Sequence, residues 1–383
     1  MLRKTSIVGI GQLPIKKSCD DTLRSLGAQA AKLAMDEAGV DEVDALYVGN
    51  MLSDELQNQK HLGALIADEA GLTGIEALSV RAASASGAAA LRIANLAVAS
   101  GEADLAVAVC VEKLSEGSST PALAKALDSR REVARGANMI TRNADLMKLY
   151  LERHQAPSDA LVNFSVNAHR NARNNEYALF KDMNVTARKV KNSRMIYDPI
   201  RLFDASPICD GAAAVVLAPT EEARAYTSHP VHILASSVAT DRFLVENRLD
   251  PLMLEASHLS SQKAFRLANV NIGDVSFFEV HDAFSIMSCL LLEAVGFAEP
   301  GEGWRLAAEK EIWLKGEIPI STMGGLKARG HPIGATSLYQ ACEIALQLTG
   351  RAGKNQIKNP EIGLLQSVGG PASTVITHIF GSD

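Results

Sequence analysis

The sequence predicts an α/β fold built from two repeated halves, with a helix-rich segment inserted in the first. Three observations carry this. Helical and strand patterns alternate along most of the 383 residues, an order that implies layered, mostly parallel sheets with crossovers. Two stretches of the first half resemble two of the second. KLAMDEAGVDEVDALYVGN from Lys32 parallels KAFRLANVNIGDVSFFEVHD from Lys263, and SGAAALRIANLAVASGEADLAVAVCVE from Ser86 parallels IGATSLYQACEIALQLTG from Ile333 with PEIGLLQSVGG from Pro360. From about residue 115 to 193 the chain turns polar and helix-rich. The division that follows is a first half of residues 1–114 and 195–222, an inserted loop domain of 115–194, and a second half of 223–383.

Each element has a local reason. Thr5 to Gln12 is a β-branched, apolar run and reads as a strand. Its Gly-Ile-Gly lacks the third glycine of a dinucleotide loop, and Pro14 stands where the helix would start. Leu23, Leu26, Ala30, Leu33 and Ala34 share one helical face, with Asp20 or Asp21 as cap and Gly39 as stop. Val43 to Val48 is a buried strand, and a helix before Gly71 follows. Leu78 to Gly101 reads as strand, small-residue turn and Ala-rich helix. The alanines predict a helix buried in the middle of the molecule. Leu105 to Val111 is the next strand, closed by Glu112 and Lys113. The second half gives strands at Val231–Ala235, Val275–Val280, Ile362–Val368 and Ser373–Phe380, and helices at Leu254–Ala268 and Ala335–Leu348. A glycine-rich loop runs from Met323 to Gly334.

Composition excludes several classes. The chain is 47% hydrophobic and 21% charged with net charge −6, which suits a globular core rather than a nucleic-acid binder. No apolar run approaches the ~20 residues of a membrane span. The opening apolar run is too short for a secretory signal. Cys19, Cys110, Cys209, Cys289 and Cys342 are scattered without a CxxC pair. This implies a reducing, cytoplasmic setting and no zinc site. Basic residues between Arg153 and Arg201 form either a solvated face or a rim for an anionic small molecule.

Ligand sites in such sheets form beyond the carboxyl ends of strands. That rule selects Ser84, His281, the loop holding His331, and Ser367. The stretches around them are RAASASG at Arg81–Gly87, EVHDAF at Glu279–Phe284, GGLKARGHPIGAT at Gly324–Thr336 and QSVGG at Gln366–Gly370. VEK at Val111–Lys113, NAHRNARNNEYA at Asn167–Ala178 and DPIRLFDASPICDGAAAVVLAP at Asp198–Pro219 support them. In order and spacing these motifs resemble the thiolase superfamily, and within it the sterol-carrier-protein and archaeal types, over nearly the whole chain.

The resemblance implies a five-layered α/β/α/β/α sandwich whose inserted loop domain helps to hold coenzyme A. It implies a homodimer or homotetramer, acyl-CoA as substrate with no permanently bound cofactor, and a small zinc-ribbon and OB-fold partner chain. It places the acyl-carrying cysteine on Ser84, the activating histidine on His331 and a second acid/base histidine on His281. A further cysteine of many members falls on Ala283, another proton-carrying cysteine on Ser367, and an asparagine on Ser321.

No thiol therefore remains at these positions. A thiol ionises readily at a helix N-terminus, whereas a serine needs general-base help. Three readings follow: a thiolase-type acyl-CoA C-acyltransferase working through Ser84, a non-catalytic acyl-CoA-binding or scaffold subunit, and a CoA-ester hydrolase or O-acyltransferase.

Overall fold

The computed structural model describes residues 2–382. The chain opens with β1 (Thr5–Gln12), α1 (Leu23–Ala38), β2 (Ala45–Gly49), α2 (Ser53–Leu56), α3 (Leu62–Ala70), β3 (Glu76–Val80), α4 (Ser86–Ser100) and β4 (Ala106–Lys113). Then come α5 (Ser119–Ala124), α6 (Met139–Arg153), α7 (Val162–Ala172) and α8 (Ala187–Lys191). A ribbon of β5 (Met195–Tyr197) and β6 (Ile200–Arg201) packs on α6. After β7 (Asp210–Pro219) the chain continues with β8 (Val231–Thr240), α9 (Glu255–Ala268), β9 (Phe277–Glu279), α10 (Ser285–Val295), α11 (Gly303–Ala308), α12 (Thr336–Leu348), β10 (Ile362–Gly369) and β11 (Thr374–Gly381).

Gly39, Gly71 and Gly101 end α1, α3 and α4 in left-handed conformations, as their positions predicted. The cap of α1 differs from expectation. Thr22, not Asp20 or Asp21, accepts from the Ser25 amide at 3.3 Å.

Among the described residues, nine strands join in the order β3-β2-β4-β7-β1-β8-β11-β10-β9. The repeat maps β2 on β9 and β4 on β10. Strand order extends this to β1 on β8 and β7 on β11. Ile320 bridges Phe278 in parallel, where the counterpart of β3 belongs. The expectation of mostly parallel sheets is corrected. Only β2–β3, β2–β4 and β9–β10 run parallel, and the other pairs are antiparallel. The physical reason lies at the last strand of the second half. β10 and β11 are joined by a tight turn, which can only link antiparallel neighbours, and the repeat imposes the same sense on β7.

Packing makes the layers. α1 and α3 cover one face of the first half-sheet through Ala30, Ala34, Ile66, Val107 and Val109. Its other face meets α4 and α12 through Ala90, Leu91, Ala108, Leu338 and Ala341, and Leu365 and Phe380 of the second half-sheet join the same cluster. α9 and α10 cover the far side with Ala264, Leu290 and Leu291. The α4/α12 pair is thus the middle layer. One face of α4 is nevertheless open, with Ile93 and Leu96 exposed, so the helix is less enclosed than its alanines suggested. Gly87 lets α4 approach closely: a Cβ there would lie 2.8 Å from the Gly334 carbonyl.

Candidate active site

Ser84 stands in the turn between β3 and α4. Ala83 before it adopts φ +51°, a strain of about 1–3 kcal/mol for a residue with a Cβ. Buried Ser86 braces the turn: its hydroxyl accepts from the Ala82 amide at 3.0 Å and donates to the Ala83 carbonyl at 2.6 Å. Ser84, half-buried at the mouth of the helix, faces a cavity of about 200 Å³.

His281 and His331 line the same cavity. His281 follows β9, and His331 leads from the glycine-rich loop toward α12. Their rings meet edge to face, 5.2 Å apart at 87°, and they are 4% and 5% exposed. Burial, reinforced by the Lys327 and Arg329 cations, pushes His281 down to about 3. Burial, with His281 and the same cations, pushes His331 well below the usual histidine range. Both imidazoles are therefore neutral near pH 7, each with one donor and one acceptor nitrogen. Nδ1 of His331 lies 2.6 Å from the Thr336 hydroxyl, while Nδ1 of His281 is buried without a partner. Ala283, Phe284, Met287, Met139, Leu146 and Val368 supply an apolar wall.

The loop expected between Met323 and Gly334 is a fully buried π-helical turn at Gly325–Arg329. Charges and amides pin it. Arg329 donates to Glu343 at 2.7 Å, Lys327 donates to the Asp282 carbonyl at 2.7 Å, and the Leu326 amide donates to the Asp282 carboxylate at 2.7 Å. Gly325, at φ +55°, is required here, since a Cβ would lie 2.5 Å from that carboxylate. From the other side, the Asn167, Asn171 and Asn175 amides donate to the Ile320, Ser321 and Met323 carbonyls at 3.0, 3.1 and 2.8 Å. Asn167 and Asn171, four apart, share one face of α7, and Asn175 lies just beyond its end. Glu112, expected to close a strand, is buried inside β4. It accepts the Met51 and Leu52 amides and lies against Gly334. Burial pushes its carboxyl up to about 8.

The structure thus brings Ser84, His281 and His331 together and leaves Ser367 out of the lining. Ser367 is fully buried, with its hydroxyl 2.7 Å from that of Ser337 on α12. Strand alternation turns Ser367 toward the middle layer and Val368 toward the cavity. The position onto which the resemblance places an acid/base cysteine therefore lies behind the lining. Ser321 is buried at φ +48° with an unpartnered hydroxyl. The basic residues between Arg153 and Arg201 do not line the cavity. Arg153 pairs with Asp250, and Arg170 lies over the Trp313 ring. The cation in the lining is Arg142, held by Glu132 at 2.9 Å. Among the described residues no His, Cys, Asp or Glu cluster could hold a metal ion. Among the described residues no helix is long and apolar enough to cross a membrane.

This fold and site define a class. The "Thiolase, N-terminal domain" model matches residues 5–221 and the "Thiolase C-terminal domain-like" model matches 237–382. The chain belongs to the thiolase family. It is 41% identical to an acetyl-CoA acetyltransferase of Methanothermobacter thermautotrophicus over 99% of this chain and all of that one. It is 27% identical to human sterol carrier protein 2 over 98% of this chain and 72% of the relative. The solved Ltp2-ChsH2(DUF35) aldolase superposes with a TM-score of 0.89 at 21% identity, covering 99% of this chain and 98% of that one.

Proposed function

We propose that the chain is an acyl-CoA C-acyltransferase of the acetyl-CoA acetyltransferase kind, with Ser84 as acyl carrier. The supporting observation is the meeting of Ser84 with two neutral imidazoles in one apolar cavity. His331 takes the Ser84 proton as the hydroxyl attacks the thioester carbonyl, and the CoA thiolate leaves with that proton. His281 removes an α-proton from a second acyl-CoA. The resulting carbanion attacks the acyl-serine, the Ser84 C–O bond breaks, and the departing Ser84 oxygen takes the proton that His281 removed. General acid–base help of this kind is worth ~10²–10⁴-fold, and an apolar site strengthens every charge interaction within it. Coenzyme A is substrate here, and no resident cofactor is invoked.

The test is intact mass after incubation with acetyl-CoA and acetoacetyl-CoA. A mass gain of one acyl group on Ser84, absent in His331→Ala, supports the reading. Replacement Ser84→Cys should raise thiolysis. Free acid without carbon–carbon exchange would point instead to hydrolysis, and binding without adduct or turnover to a scaffold subunit.

We also place a homodimer interface on β3. It is the outer edge of the sheet, Leu78 on it is 52% exposed, and Ile93 and Leu96 stand exposed on α4, which packs against it. An open apolar edge is a template for a second strand. A small partner chain is proposed by analogy with the two-component name of the Ltp2-ChsH2(DUF35) aldolase. Five free cysteines support a reducing, cytoplasmic setting.

A further inference from the structure

We propose that this site also cleaves β-hydroxyacyl-CoA thioesters by a retro-aldol reaction, carried by His281 and His331 without Ser84. The inference rests on the preceding reading only for the recognition of a CoA thioester.

The geometry separates two tasks that a thiol-bearing site combines. Capture of an acyl group needs a nucleophile, and the cavity lining holds no cysteine. Cys110, Cys209, Cys289 and Cys342 are buried elsewhere, and Cys19 lies against Asp210. Among the described residues the Ser84 hydroxyl makes no hydrogen bond to either imidazole, and His331 is held by a hydroxyl rather than a carboxylate. Breaking a carbon–carbon bond next to a thioester needs only a base and a donor for the enolate oxygen. Those parts are present. His281 is buried in the lining with Nδ1 unpartnered, a desolvated polar atom that a substrate group would satisfy. Thr336 occupies one nitrogen of His331 and leaves the other free. Lys327 and Arg329 are buried within electrostatic reach of both rings. Arg329 is paired with Glu343, and Lys327, which donates to a carbonyl, supplies positive field that favours an enolate.

The oxidation level of the substrate decides whether a nucleophile is required. A β-keto thioester splits only after something adds to the ketone carbon. A β-hydroxy thioester supplies its own electron pair. One imidazole takes the hydroxyl proton, and the O–H pair becomes the carbonyl. The Cα–Cβ bond breaks, and its pair becomes the thioester enolate, which accepts an N–H hydrogen bond from the other imidazole. The proton first removed returns to Cα. The products are an aldehyde or ketone and a shortened acyl-CoA. No water, free CoA or redox partner is consumed. Ala283, Phe284 and Met287 form an apolar seat for the departing carbonyl fragment.

The experiment gives the intact protein 3-hydroxy-3-phenylpropanoyl-CoA and 3-hydroxybutanoyl-CoA. Aldehyde is measured as its hydrazone and acetyl-CoA by mass spectrometry. In parallel, exchange of the acetyl-CoA α-hydrogens in D₂O is followed by NMR. Expected are equal yields of aldehyde and acetyl-CoA, and α-hydrogen exchange. Both should fall ~10²-fold or more in His281→Ala, with its fold checked by circular dichroism. Ser84 then divides the two reactions, because Ser84→Ala loses the acyl adduct and keeps cleavage and exchange. No cleavage, alongside α-hydrogen exchange and an acyl adduct on Ser84, overturns this inference and leaves the acyltransferase reading standing. Cleavage lost with Ser84→Ala overturns it as well. No adduct, thiolysis, cleavage or exchange overturns both.

Discussion

Replacing Thr336 by valine tests whether the second nitrogen of His331 is set by its partner. The substitution keeps shape and removes one hydroxyl, 2.6 Å from Nδ1 of an imidazole that is 5% exposed. A buried polar atom left without a partner costs about 1–3 kcal/mol. If that cost falls on the competent ring orientation, acylation slows about 5- to 160-fold, at 1.36 kcal/mol per tenfold. The assay is single-turnover acylation of Ser84, followed by intact mass against time at several acyl-CoA concentrations. The loss should appear in the limiting rate rather than in the concentration for half-saturation. Thr336→Ser should restore most of the rate, because it keeps the hydroxyl and loses only a methyl. Wild-type acylation in the valine variant would refute the positioning role. So would a serine variant as slow as the valine.

Other tests follow from the same geometry. Glu112→Gln removes a carboxyl whose folded value is raised to about 8 from an ordinary 4.5. The unfolded chain releases that proton first, so wild-type stability falls between those values as pH rises, and urea unfolding of the glutamine variant should lose a slope of about 1.4 kcal/mol per pH unit. Buried His169 and His378, lowered by burial to about 4, act in the opposite sense: the unfolded chain binds protons first below pH 6.5. Replacing either by glutamine should therefore flatten the loss of melting temperature on acidification from pH 6.5 to 4. Gly87→Ala drives a Cβ to 2.8 Å from the Gly334 carbonyl. It should cost about 1–3 kcal/mol of stability by overpacking and suppress Ser84 acylation by displacing the His331 loop. If the proposed dimer pairs through β3, Leu78→Asp should run as a monomer in light-scattering chromatography, and an unchanged dimeric mass would refute that placement.

Much of the fold was legible because its signals are local. Gly39, Gly71 and Gly101 stop helices for backbone reasons that need no neighbour. The pairing of Lys32 onward with Lys263 onward survives as α1–β2 and α9–β9. The site was half legible. Ser84, His281 and His331 are far apart in the chain, and only the crossover order of the two halves brings them to one cavity. Ser367 lies outside the lining because the motif names a position, whereas strand pleat sets the direction. Thr336 was missed because a hydroxyl at a helix start ordinarily reads as a cap.

By itself, the sequence determined the alternation of elements, the internal repeat and the residue types offered to the site. Periodicity, turn chemistry and self-similarity are properties of a line. Tertiary structure alone decided the antiparallel sense of most strand pairs, the edge-to-face meeting of His281 and His331, and the exclusion of Ser367. It also decided that two histidines are held neutral and that Glu112 keeps its proton. Those are consequences of burial and of charges brought close from distant parts of the chain, and dielectric surroundings exist only once the layers have closed.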